Sequence, residues 1–361
     1  MKYKQLTEIS TPKQWKTISS DMLTESGYPV YGASGIIGYY KDYNHKKPTV
    51  TIGCRGTCGK INFVSEKAYI NGNAMCIDNL SDEFDEEFLY YYLQQYDFSK
   101  VISGSTIPQI TISSLEKVFI PIIPKIEQIG IVKKMRCIDE AISESKKRLN
   151  LYDELVKSRF VELFGDCNKQ TSIKESGLTI SDGNYSSKYP RSEEFVERGI
   201  PFIRANNLKN GTVVDEDMYY ITPEKHKILL KGHLKPNDIL ITTRGNIGQV
   251  AIVPEQHNDS NINAQIVLLR DENGRFIPQY LLWALQTEKV KVQYIELQTG
   301  TALKQLPVGR LEQVIIKEPP IEQQNEFAAF VEQTDKSKLA TTETLKYLEE
   351  LKASLMAKYF G

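Results

Sequence analysis

Two stretches of the chain carry apolar side chains at alternating steps of three and four. In the first, Ile131, Met135, Ile138, Ile142, Ser145, Leu149, Tyr152 and Val156 form an unbroken seam. That spacing, 3.5 on average, is the signature of a helix packed along another helix as a coiled coil. In the second, Phe327, Val331, Thr334, Lys338, Thr341, Leu345, Leu348, Lys352, Leu355 and Tyr359 keep the same spacing. This seam is apolar at both ends and polar in its middle. Prolines stand just before both stretches and none lies inside them, as helix starts prefer. The pattern predicts two helices of about 36 residues, each ~54 Å long at 1.5 Å per residue.

Elsewhere the pattern is shorter. Val50–Ile52, Ile61–Val64, Ile239–Thr242, Val250–Val253 and Ile266–Leu269 read as strands separated by glycine-rich turns. Glu86–Gln95 and Pro278–Thr287 read as helices. The globular parts are therefore mixed α/β.

These elements recur. Arg55-Gly56-Thr57-Cys58-Gly59 and Arg244-Gly245-Asn246-Ile247-Gly248 share Arg-Gly-x-x-Gly, and each leads into a strand-like run. Asn73-Ala74 matches Asn263-Ala264. Ser103–Val118 (SGSTIPQITISSLEKV) matches Thr299–Val314 (TGTALKQLPVGRLEQV). Proline-rich stretches follow, each trailed by Ile-Glu-Gln at 126–128 and 321–323, and the units end Phe164-Gly165 and Phe360-Gly361. A repeat at this period divides the chain into domain, helix, domain, helix. The expected boundaries are 1–122, 123–165, 166–318 and 319–361.

Composition adds exclusions. The chain is 40% hydrophobic and 25% charged, ordinary for a globular protein. No apolar run approaches the ~18 residues of a membrane span, and the start lacks a signal-peptide pattern. Five unevenly placed cysteines do not form a disulfide framework. A cytoplasmic protein with reduced thiols is expected. The net charge of −1 offers no overall nucleic-acid signature. Positive charge is dense only locally: Lys41, His45, Lys46, Lys47, Arg55 and Lys60 fall close together with one acid, Asp42.

Candidate chemistry is sparse. Gly53–Lys60 is one residue short of a phosphate-binding loop, and Ile61 stands where a magnesium-binding hydroxyl belongs. A turn between strands explains its glycines better. Cys54, Cys58 and Cys76 allow two zinc ligands but have no convincing histidine beside them, so no metal site is expected. Arg55 and Arg244 either contact phosphate or a guanine edge, or fix their turns. Lys188, Arg191, Arg204, Asn206, Asn207 and Asn246 suit phosphates and base edges, as exposed polar loops also do. The motifs of methyltransferases, nucleases and hydrolases do not assemble, so no catalytic residue is expected.

The order and duplication of these parts resemble the specificity subunit of type I restriction–modification systems, over essentially the whole chain. The stretch Gly199–Leu208 (GIPFIRANNL) looks like the opening of a target-recognition domain, with Gly27–Gly35 (GYPVYGASG) as its counterpart. The resemblance implies an α+β fold: two mixed α/β target-recognition domains, separated and followed by long helices that pair as an antiparallel coiled coil in a pseudo-twofold repeat. Helix packing would rest on Ile131, Met135, Ile138, Ile142, Leu149, Tyr152 and Val156, against Phe327, Val331, Leu345, Leu348 and Leu355. It implies a non-catalytic subunit that reads a split, asymmetric site on double-stranded DNA, with the helices as a ruler, in anti-phage defence. Two methyltransferase (M) subunits would be its partners, and two motor–nuclease (R) subunits are left open. S-adenosylmethionine, ATP and Mg would belong to those partners and no cofactor to this chain. A methylation-only complex, or a scaffold whose helices join protein partners, remains the alternative. The first domain is the shorter, and its reading elements look abbreviated.

Overall fold

The computed structural model describes residues 2–104, 108–183 and 188–361. Ser105, Thr106 and Ile107 of the first boundary motif lie outside them. The two long helices run Lys125–Phe164 and Ile321–Phe360, 40 residues each. They start earlier than the seam alone predicts and span about 60 Å. The chain divides into two units, residues 1–148 with 341–361, and residues 149–340. Each long helix is thus shared between the units rather than forming a segment of its own.

In the first unit, Thr11–Gln14, Ala74–Asp78, Thr49–Gly53 and Ile61–Val64 form a four-stranded antiparallel sheet in that order. A smaller sheet joins Gly35–Tyr40, Tyr28–Gly32 and Tyr69–Ile70. Helix Glu86–Gln95 covers the larger sheet. Asp85 caps it by accepting from the Glu87 and Phe88 amides, as N-terminal amides require. Tyr3–Gln5 pairs with Phe119–Pro121, so the lobe closes where the long helix leaves it.

The second unit repeats this plan. Thr179–Asp182, Ile266–Arg270, Ile239–Thr242 and Val250–Ile252 take the same order, extended by Thr212–Val213 and Leu208–Lys209. Tyr219–Ile221, Ile200–Ile203 and Asn261–Ile262 form the small sheet, with one antiparallel and one parallel pairing as in the first lobe. Gln170–Ser172 closes against Ile315–Lys317. The first lobe therefore keeps both sheets. Its shortness comes from elements added to the second: the hairpin Leu208–Val213, helix Pro223–Ile228, and helix Glu288–Leu297 where the first lobe has one turn at Phe98–Lys100.

Hydrogen bonds correct one part of the repeat. The Asn71 amide donates to Tyr31 O and the Asn263 amide to Ile203 O, both at 2.9 Å. The Cys54 amide reaches Asn73 O as the Thr243 amide reaches Gln265 O. Asn71, not Asn73, is thus the counterpart of Asn263. The dipeptide match was coincidental, because the loops before it differ in length.

The last residue of the first Ile-Glu-Gln motif, Gln128, is a fully buried glutamine; in the second copy the buried glutamine is the residue that follows the motif, Gln324. Gln128 donates to Glu83 O and Ile123 O and accepts from the Asp85 amide. Gln324, the residue after Gln323, donates to Arg275 O and Pro319 O and accepts from the Ile277 amide. Each glutamine satisfies buried backbone groups on both sides of the lobe–helix junction, where an unpaired group costs about 1–3 kcal/mol.

Within each unit the helices pack antiparallel. In the first, Asp139 meets Lys352 and Lys146 meets Glu349, over a cluster of Phe88, Tyr91, Val132, Met135, Met356 and Phe360. In the second, Asp153 meets Lys338 and Arg159 meets Glu326, beside Val156, Phe160, Phe164, Phe327 and Val331. Ile131, Ile142, Leu149, Tyr152, Leu345, Leu348 and Leu355 are half-buried on the expected faces. Ile138 is buried. No helix among the described residues is long and apolar enough to cross a membrane.

Candidate nucleic-acid interface

The two Arg-Gly loops have one geometry. Gly59 donates to Gly53 O and Gly248 to Thr242 O, both at 2.9 Å. Gly56 and Gly59 have φ of 76° and 81°, and Gly245 and Gly248 have 73° and 85°. These left-handed values favour glycine. The second glycine of each loop also touches an aromatic side chain. A Cβ on Gly59 would lie 2.8 Å from Phe98, and one on Gly248 would lie 2.8 Å from Tyr294. Gly248→Ala is therefore expected to cost more than Gly245→Ala, whose Cβ would meet nothing within 4 Å. Backbone strain alone is worth about 1–3 kcal/mol. Urea denaturation of both variants measures the difference, and equal losses would contradict the close approach.

Each loop lies against the boundary motif. Arg55 forms a backbone bridge with Gln109, and Arg244 with Gln305. Gln109 and Gln305 in turn bridge Ser103 and Thr299. Two motifs some fifty residues apart thus build one double turn, and so they are duplicated together. Gln109 and Gln305 were not among the candidates; their matched places in the two copies were the available signal. The Arg55 and Arg244 side chains are exposed at the rim of the double turns. Arg244 also lines an open cleft of about 360 Å³ with Asp182, Gln305 and Pro307. Asn246, on the same loop, faces a different and larger groove with Lys289 and Trp283.

The other candidates do not form one patch. Lys60 is exposed at the start of strand Ile61–Val64, on the Arg55 side. Lys46 and Lys47 precede strand Thr49–Gly53, which Arg55 follows. Five extended residues separate the two ends by about 17 Å, so the local run of positive charge falls at opposite ends of the sheet. Lys41 is exposed at the end of the small-sheet strand Gly35–Tyr40. Lys46 and Lys67 approach the Tyr43 ring, at 6.0 and 5.5 Å.

In the second lobe, Lys188, Arg191 and Asn206 are exposed. Arg204 lies 3.4 Å over the Tyr219 ring and donates to Asp217 O. Asn207 is fully buried. Its amide donates to Val214 O and Glu216 O, and its oxygen accepts from the Arg204 amide. All its polar atoms are used in holding this turn, and none faces outward. Gly32 occupies the Arg204 place in the first lobe, so the sequence match GYPVYG/GIPFIR carries the fold and not the charge.

The cysteines part company. Cys54 accepts from Gln14, and Cys58 donates to Pro108 O. Cys76 instead joins His45 and Asp78, with Cys76 Sγ 2.9 Å from Asp78 Oδ1 and His45 Nε2 2.9 Å from the same oxygen. Burial, reinforced by Asp78, pushes the Cys76 thiol up. Burial also raises the Asp78 carboxyl, but hydrogen bonds from His45, Cys76 and Trp15 outweigh it and hold it below its usual range. Among the described residues, no cluster with metal-ligand geometry includes Cys54 or Cys58.

Comparison with known proteins places this architecture. The family model described as type I restriction modification DNA specificity domain matches residues 1–151 and 178–352. The chain is 24% identical over 369 aligned residues to the type I restriction enzyme EcoBI specificity subunit of Escherichia coli, covering 92% of this chain and 74% of that one. It is 23% identical to a putative type I restriction enzyme specificity subunit of Haemophilus influenzae, covering 91% and 86%. Its fold is similar to the type I restriction–modification S subunit of M. genitalium, with a TM-score of 0.66 at 17% identity over 100% of this chain and 96% of that one. Two lobes of one plan, each clamped by a buried glutamine to a shared pair of helices, thus match the family over almost the whole chain, and the protein belongs to the type I restriction–modification specificity subunits.

Proposed function

We propose that this chain reads a split, asymmetric sequence on double-stranded DNA, one half-site per lobe, and directs partner subunits to it. The observation that carries the reading is the exposed arginine set identically on the double turn of each lobe, Arg55 and Arg244. An exposed arginine whose backbone is bridged to a neighbouring segment can meet a guanine edge with two hydrogen bonds or pair with a phosphate. The near-neutral charge fits a chain that holds DNA weakly alone and relies on partners for many phosphate contacts. Two methyltransferase subunits would dock on the assembly and two motor–nuclease subunits would add cleavage. S-adenosylmethionine, ATP and Mg would be bound by those subunits, and this chain would supply no catalytic group.

The test is co-expression with a methyltransferase encoded beside it, followed by sequencing of methylated adenines. A two-part motif with an unread spacer is expected. Arg244→Ala should lower methylation by roughly 5–100-fold through one half-site only, the range of a lost bidentate base contact. Arg55→Ala should act through the other half. Folded variants that methylate like the parent would remove the arginines from the interface. A motif without a spacer would overturn the two-lobe reading and favour the scaffold alternative.

A further inference from the structure

The chain has four histidines, and two of them meet in the second lobe. Helix Pro223–Ile228 carries His226 near its end. The turn after it reverses at Gly232, whose φ is 77°, and returns His233 beside His226 with ring centroids 4.4 Å apart. Asp259 approaches from a third segment. Its Oδ1 lies 3.3 Å from His226 Nε2 and 3.7 Å from His233 Nδ1. One ligand atom from each of the three residues lies within 4.8 Å of the other two.

The surroundings fix which face each ring presents. His233 Nε2 is 2.6 Å from Leu229 O, an atom that only accepts, so this nitrogen carries the proton. His226 Nδ1 contacts Asn261 Oδ1, and the other end of that buried amide is turned to Gly232 O. His226 Nδ1 is therefore a donor as well. In their neutral forms both rings aim the lone pair of the remaining nitrogen at the Asp259 carboxylate. Two imidazole lone pairs and a carboxylate oxygen that converge on one point are the donor set of a nitrogen- and oxygen-ligated metal.

The frame is built for this. The His233 carbonyl is held by Arg270, which is itself paired with the buried Asp238. Asp259 is held in the left-handed region at φ 61°, and its amide donates to Leu234 O. Strain of that kind persists where surrounding contacts over-determine the backbone. Carbonyl-pinned imidazoles are the usual outer shell of histidine metal ligands. Bonds of about 2.0–2.2 Å from one metal to N and O ligands put those ligands about 3–3.5 Å apart.

We propose that His226, His233 and Asp259 hold a divalent first-row transition metal, of the zinc class that two imidazoles and a carboxylate suit, with solvent at its remaining position. The ion ties helix Pro223–Ile228 to the segment that enters the small-sheet strand Asn261–Ile262. The His45, Cys76 and Asp78 cluster of the first lobe is a different case. Its thiol donates to the carboxylate, and Trp15 and Asn44 complete its hydrogen bonds, so it is satisfied without an ion.

The test titrates the full chain, stripped of metal with a chelator, with Zn²⁺ by calorimetry. One Zn²⁺ per chain, bound at micromolar affinity or tighter, is expected. Asp259→Asn keeps a residue that tolerates positive φ and sits at the surface, so it should fold normally by circular dichroism. It should weaken binding by at least about tenfold. His233→Gln should do the same, and Asp78→Asn should leave binding unchanged. Co²⁺ in place of Zn²⁺ should show ligand-field bands without a thiolate charge-transfer band. No binding by the parent chain would overturn the site. So would unchanged binding in Asp259→Asn, or a thiolate band abolished by Asp78→Asn or Cys76→Ser.

Discussion

Replacing Asp238 by alanine is expected to destabilise the second lobe by about 3–5 kcal/mol, the cost of leaving a paired, buried charge alone. Asp238 is 1% exposed. Its two oxygens accept from Arg270 Nε and Nη2 at 2.7 Å each, and one also accepts from the Lys235 amide at 2.8 Å. Arg270 Nη2 is shared with His233 O. The alanine variant would strand the Arg270 guanidinium, 18% exposed on its side chain, inside the lobe. Replacing both residues, Asp238→Ala with Arg270→Met, should recover much of the loss, because paired buried charges contribute little net stability against apolar substitutes. Chemical denaturation of the full chain, with a probe in each lobe, measures both variants. A loss below about 1 kcal/mol for the single variant would mean that the pair is solvated.

The place of this ion pair explains how two lobes of one plan diverge. The Thr243–Gln265 and Cys54–Asn73 hydrogen bonds set the register between the copies. In that register Asp238 corresponds to Thr49 and Arg270 to Asp78. The same end of the sheet thus carries a buried ion pair in one lobe and the Thr49, Cys76, Asp78 and His45 network in the other. Both close the strand ends with satisfied polar groups, by different chemistry. Nothing in the local sequence announces either, since the partners come from strands paired across the sheet.

What could be read beforehand follows the same division. Helix phase was legible because period 3.5 is local: Met135, Ile138, Val156, Phe327 and Val331 are buried as the seam predicts. Thr334 and Thr341 are buried too, so the polar middle is part of the seam. Phe160, Phe164, Met356 and Phe360 were missed. Their cover comes from the lobes, through Tyr280 for Phe164 and Phe88 for Phe360, and the stripe there is wider than an a/d seam. The Arg-Gly turns were legible through their glycines. The charge cluster was not, because a strand of five residues separates neighbours in sequence. The histidine tripod was hidden for the same reason: a helix end, a glycine turn and a distant loop supply one ligand each.

Inserting seven residues into both long helices, after Ser145 and after Leu345, is expected to lengthen the unread spacer while both half-site sequences stay as they were. This follows from the proposed reading of one half-site per lobe. Contacts in the first unit bring Lys146 opposite Glu349, and those in the second bring Asp153 opposite Lys338. The two insertions therefore fall at matching levels of the pair. Seven residues are two turns of a 3.5 repeat, so the seams keep their phase. Each helix grows by about 10.5 Å, which corresponds to about three base pairs at 3.4 Å per step. Methylation of the original site should fall to background, because three base pairs turn one half-site by roughly a quarter of a DNA turn relative to the other. Sequencing of methylated adenines in cells carrying the insertion variant should recover the same half-sites, farther apart. Inserting two residues instead would turn each seam by about 200° at 3.6 residues per turn and should break the pair rather than reset it. An unchanged spacer in a folded seven-residue variant would show that the helices do not measure the distance, and that the half-sites are positioned by contacts within the lobes or by partner subunits.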